Sequence, residues 1–145
     1  MWQILEFHYL RVTYESMVNW QEDTDILHCN ESFYGQPRFD HVIVATENGS
    51  FLAQLLSLFQ FQAGTHSHSL ALVQVYGQPP GSTRRKDREL GLHRVRVKSS
   101  PYAIVAVEWI IRGALLIEDT NIQGDCFVVY TIDSDMFLRI PTLFP

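Results

Sequence analysis

Residues 39–62 read FDHVIVATENGSFLAQLLSLFQFQ, and this stretch decides the fold class. Residues 39–46 form a short run rich in β-branched side chains, which suit a pleated, half-buried surface. Glu47, Asn48, Gly49 and Ser50 follow, and Asn-Gly between two apolar runs is the strongest short-range hairpin signal. Residues 51–62 then return as a long strand. Their leucine-rich start is compatible with a helix, but Phe59 and Phe61 alternate with Gln60 and Gln62, which is the period of a strand.

Downstream, residues 63–68 make a second turn, and 69–76 (SLALVQVY) another strand with Leu70, Leu72 and Gln74 on one side. The segment GQPPGST at 77–83 cannot continue it, because proline removes a ladder donor. It opens a mobile basic loop carrying Arg84, Arg85, Lys86 and Arg88. Residues 91–98 (GLHRVRVK) alternate most cleanly, and Ser99, Ser100 and Pro101 are expected to end that strand. Residues 102–117 carry a short helical turn around Trp109, Ile110 and Ile111 and then an apolar run. A turn at 121–125, a last strand at 126–132 and a closing turn at 133–138 complete the chain. Upstream, 2–18 is strand-like, 19–31 with its four acids reads as loop, and 32–37 is turn chemistry. The expectation is one domain over 1–145, all-β with one or two short helical turns, a compact antiparallel barrel.

At 145 residues, 46% apolar and 19% charged, such a domain can bury a core without staples. Cys29 and Cys126 read as free thiols of a reducing compartment. Residues 1–6 lack the features of an export signal, and no apolar run approaches the roughly 18 residues that span a bilayer. A soluble, intracellular protein with no membrane partner is expected. The formal charge of −5 argues against generic nucleic-acid affinity. Its distribution does not, because seven of the eleven Lys and Arg fall between Arg84 and Lys98.

Those seven are the leading candidate site. Arg94, Arg96 and Lys98 share one strand face, roughly 6–7 Å apart, which matches the spacing of successive phosphates along a nucleic-acid strand. Arg84, Arg85, Lys86 and Arg88 precede them, diluted by Asp87 and Glu89. The plainer alternative is a solvated strand face whose like charges discourage edge pairing. An acidic partner protein is a third reading.

Other constellations are weaker. His66 and His68 form an H-x-H pair that could face one metal, as in cupins, but no acid follows in range. Glu118 with Asp119, and Asp133 with Asp135, could offer oxygen ligands, but acids at strand ends also make turns or cap helices. Trp2, Trp20 and Trp109 could contribute to an aromatic cage, with Phe33, Tyr34 and Tyr76 as the exposed rings; core packing is the alternative. No nucleophile elbow, P-loop or dinucleotide fingerprint is present, Cys29 beside His28 is adjacency only, and no cofactor is expected.

Five segments occur together: F-L-A-Q-L-L-S-L-F at 51–59, S-L-A-L-V-Q at 69–74, R-x-x-D-R-E-L-G-L-H-R-V-R-V-K at 84–98, I-I-R-G-A-L-L-I-E-D at 110–119 and D-S-D-M-F-L-R at 133–139. As a set, over 33–139, they resemble the C-terminal β-domain of proteins from mushroom-forming fungi, many of them encoded by Plavaka-type DNA transposons. The resemblance implies an SH3-like or bromo-adjacent-homology-like barrel that makes chromatin and protein contacts. It implies no catalytic residue here, since the transposase carboxylates belong to the nuclease core preceding that domain. Residues 1–30 lie outside the match.

The expected function is therefore a non-catalytic interaction module, with the nucleus as one expected location, contacting nucleic acid, chromatin or an acidic protein through its basic strand and loop. The rivals are an oligomerisation or docking domain, using apolar surface at 55–61 or 136–144, and a cupin-like metalloprotein.

Overall fold

The computed structural model describes residues 2–144, with side chains from Gln3 onward. Ten strands follow in order: β1 (Trp2–Phe7), β2 (Tyr9–Glu15), β3 (Glu22–Phe33), β4 (Gln36–Phe39), β5 (His41–Thr46), β6 (Gly49–Ala63), β7 (His66–Gly77), β8 (Arg94–Ala106), β9 (Ile110–Glu118) and β10 (Asp125–Val129). Two six-residue helices, α1 (Arg85–Leu90) and α2 (Ser134–Arg139), and two 3-10 turns complete it. The chain is all-β, as expected. No helix among the described residues is long and apolar enough to cross a membrane.

Seven strands form one antiparallel sheet in the order β1-β6-β5-β9-β10-β8-β7, and β6 also pairs with β7. That additional pairing closes a hydrogen-bonded ring of six strands, with β1 extending the far half of β6. Strands β2, β3 and β4 form a second, three-stranded sheet.

The β5–β6 hairpin lies at the centre because β5 is buried on both faces. Val42 and Val44 enter one core, shared with Leu27 and Cys29 of β3. Ile43, between them, enters another, shared with Met136 and Ile140 from the C-terminal segment. All three β5 side chains are fully buried, each stabilising the fold by about 1.5–3 kcal/mol in area removed from water. The register pairs Thr46 with Gly49, so Glu47 and Asn48 make the turn and Gly49 takes φ 125°, which glycine tolerates.

Several local expectations need correction. Residues 19–31 are not a loop, because β3 begins at Glu22. Leu27 and Cys29 point inward with Asp25, whose carboxylate accepts the Gly113 amide at 2.8 Å, so an acid on the inner face is satisfied. Strand β8 is not ended by Pro101. The register jumps from Val97 opposite Tyr76 to Tyr102 opposite Gln74, and 98–101 bulge out where proline loses no ladder bond. The basic loop is helical from Arg85 onward and stops at Gly91, whose φ of 66° suits a helix end. Strand-like 2–18 divides at His8 between the two sheets. Leu55, Leu58, Met136 and Ile140 are core residues, so the apolar surface envisaged for docking within 136–144 narrows to Phe137 and Leu138, which are exposed.

A buried arginine fastens the second sheet and the C-terminus to the ring. Arg112 of β9 donates to the Tyr14 hydroxyl, to both oxygens of Asp133, and to Asp135 at 2.9 Å. Asp135 also accepts from Arg139 and from the Met17 amide. Burial alone would raise the Asp135 pKa, but those hydrogen bonds outweigh it and hold the carboxyl at about 2. Asp133 additionally caps α2 by accepting from the Met136 amide, one of the two roles expected of it.

Candidate functional site

The site begins where β7 ends. Pro79 and Pro80 stop the strand, and among the described residues no hydrogen bond within the chain involves 78–83. Helix α1 follows and turns Asp87 inward, where it is 3% exposed. Gly91 closes the helix, and its carbonyl accepts the Tyr130 hydroxyl at 2.9 Å. A side chain at Gly91 would also meet that hydroxyl at 3.2 Å.

Arg94 is the centre of the arrangement. Its Nε and Nη2 engage both oxygens of Asp87 at 2.7 and 3.2 Å, and Nη1 reaches Asp119 at 2.6 Å and Asp125 at 2.9 Å. The guanidinium also lies 4.4 Å from the centre of the Phe127 ring. One arginine thus gathers a carboxylate from α1, one from the end of β9 and one from the start of β10. The Arg94 hydrogen bonds hold the Asp87 and Asp119 carboxyls below their ordinary range, and Asp87 in return raises the Arg94 pKa. The Asn121 amide supports Asp119 as well.

Arg96 is held differently. Its Nε sits 2.7 Å from Asp125 Oδ1 without hydrogen-bond alignment, and that oxygen accepts no hydrogen bond. Its side chain is 41% exposed, against 10% for Arg94. Its Nη2 donates a long hydrogen bond to the Gln123 carbonyl at 3.2 Å, so this half-exposed guanidinium is held by one ion pair and one backbone acceptor.

Over this cluster lies a cleft of about 630 Å³. The 78–83 loop and α1 form one side, and the ends of β8 and β10 the other. Arg84, Arg88, Arg94 and Arg96 line it with Asp87 and Asp125. Four of the seven sequence candidates therefore converge on one cavity. The others do not line it: Arg85 pairs with Glu89 at 2.8 Å on the outside of α1, Lys86 is exposed, and Lys98 lies in a neighbouring depression. The alternation of Arg94, Arg96 and Lys98 against buried Val95 is as read from the sequence. What the sequence reading lacked was Asp119 and Asp125 as partners, which turn Arg94 from an open cation into a buried, fully engaged one.

The remaining candidates lie elsewhere. His66 and His68 are exposed on β7, His93 stacks on Phe144 at 4.6 Å, and no His, Cys, Asp and Glu cluster suited to a metal occurs among the described residues. Asp119 serves Arg94, and Asp133 and Asp135 serve Arg112, so neither acidic pair is free for cation binding. Tyr34 is 93% exposed at the β3–β4 turn, with Phe33 edge-on to it, but Tyr76 is buried against His41, contrary to expectation. Trp20 and Trp109 are partly exposed with no ring contact joining them among the described residues, and the side chain of Trp2 lies outside those residues. Both cysteines are free, and burial pushes the Cys29 thiol up to about 11, unsuited to nucleophilic work. No protein-family model, curated protein or solved structure matches this chain.

Proposed function

We propose that this chain is a non-catalytic interaction module that receives an acidic partner in the cleft between the 78–83 loop and the end of β8. One observation carries the reading: Arg84, Arg88 and Arg96 rim a cavity whose floor, Arg94, is already fully engaged by three aspartates. A rim of cations over a locked floor binds anions without collapsing onto its own acids. The order of the five sequence segments supports the wider context, an SH3-like or bromo-adjacent-homology-like barrel carried by transposon-derived proteins.

The partner is tested by fluorescence anisotropy with labelled duplex DNA, single-stranded DNA and an acidic peptide, from low to physiological salt. The control is the triple variant R84A/R88A/R96A. Arg94 stays in place, since removing it would unbalance the aspartates. Binding that weakens with salt and is lost in the triple variant supports the module. Equal binding by the variant, or none by the parent at low salt, rejects it.

A second reading, self-association, rests on the outer edge of β1. That edge ends the sheet order, and Ile4 and Phe7 beside it are 61% and 47% exposed. A mass that rises with concentration and ignores salt would favour it.

A further inference from the structure

The cleft does not end at its basic rim. A second depression of about 270 Å³ adjoins it, sharing Gln78 and Phe144. Phe51, Leu52 and Leu143 give it apolar walls, and exposed Lys98 stands beside them. Resting on the acidic-partner reading, we propose that the occupant is an extended acidic peptide segment. Its carboxylates meet Arg84, Arg88 and Arg96, and a neighbouring large apolar side chain enters the depression between Phe51 and Leu143.

Charge complementarity selects the sign and the number of charges. The chain carries −5 overall, yet Arg84 and Arg88 line the cleft and Lys98 the depression with no ion pair among the described residues. Within the cluster, four arginines face Asp87, Asp119 and Asp125, an excess of one positive charge. So small an excess suits a few carboxylates better than a long run of phosphates, whose affinity grows with each cation it meets.

The backbone selects an extended chain. The 78–83 loop borders both depressions through Gln78, and its polar groups make no hydrogen bond within the chain among the described residues. At Gly81 a side-chain carbon would meet nothing within 4 Å, so the way to that backbone is open. A peptide laid along the loop can pair with those groups while its side chains alternate between cleft and solvent. The sugar-phosphate backbone of a nucleic-acid strand has no N–H donors to offer them.

The test uses short labelled peptides and anisotropy at one moderate salt concentration. The first peptide carries acids flanking a central Phe, the second the same acids with Ala, and the third Gln for the acids with Phe kept. A single-stranded oligonucleotide of similar length is the fourth probe. The Phe peptide should bind about tenfold more tightly than the Ala peptide and the oligonucleotide, and the Gln peptide more weakly still. Ser50, exposed at the start of β6, lines the depression, so S50W should fill it and bring the Phe peptide down to the Ala peptide's affinity. Q78W, on the loop, serves the same purpose if S50W melts early.

Phe and Ala peptides that bind alike, or an oligonucleotide that binds best, would overturn the peptide inference. If R84A/R88A still weakens those probes, the acidic-partner reading survives that result. If R84A/R88A changes nothing, or no acidic probe binds, both fall.

Discussion

Arg94 and Arg112 are built alike and placed differently. Each is a strand arginine, at most one-tenth exposed, gripped by aspartates from distant parts of the chain. Around Arg112 the cluster draws in more of the chain: Arg139 sits on the same Asp135, the Tyr14 hydroxyl takes another donor, and Met17 and Glu15 tie in the backbone. Around Arg94 the carboxylates are just as buried, but a cleft adjoins the cluster and Arg84, Arg88 and Arg96 stand on its rim. The same chemistry is a clamp in one place and a platform in the other. What separates them is the spare charge that stands beside one and not the other.

The contrast can be broken most directly at the clamp. Arg112→Ala strands Asp133 and Asp135 with a single remaining arginine, and should lower stability by about 3–5 kcal/mol in urea unfolding. Arg94→Ala leaves Asp87, Asp119 and Asp125, each under one-tenth exposed, with Arg96 alone beside Asp125, and should cost a comparable amount. Raising the salt should restore part of that loss but little of the first. Equal salt responses would mean that the cleft does not set the two clusters apart.

Acid should report on the clamp as well. With its carboxyl held at about 2, Asp135 contributes stability that is complete above the ordinary pKa near 4 and lost as pH falls toward 2. Asp133 and Asp87 are also lowered and act in the same direction. The melting temperature should therefore be level above about pH 5 and fall from pH 4 to 2, with a shallower fall in Arg112→Ala. A fall that begins above pH 5 would point to another group. The smallest effect belongs to the rim. Arg84→Ala and Arg88→Ala should change stability by less than about 0.5 kcal/mol, because neither makes an ion pair among the described residues, while weakening the binding of an acidic probe.

The β5–β6 hairpin was legible in the sequence because its β-branched run, turn residues and alternation all point the same way. Strand β3 was not, because Asp25 disguises its inner face, and the group that satisfies it, the Gly113 amide, lies 88 positions away. Closure of the ring was equally hidden, since it depends on which strands meet rather than on any local pattern. At the site, the basic cluster could be found by counting charge along the chain. The partners of Arg94 could not, because Asp119 and Asp125 stand 25 and 31 positions beyond it and become neighbours only when β10 pairs with both β8 and β9.

Met136 and Ile140, the fully buried residues of the C-terminal segment, have a consequence for the order in which the protein is made. They cover the face of β5 and β6 that holds Ile43 and Leu52, strands that leave the ribosome long before them. At about 5–20 residues per second, that apolar face waits on the order of ten seconds for its cover. During translation the hairpin is thus a sticky intermediate that chaperones can hold, and the cleft walled by Phe144 exists only once the last turn has docked.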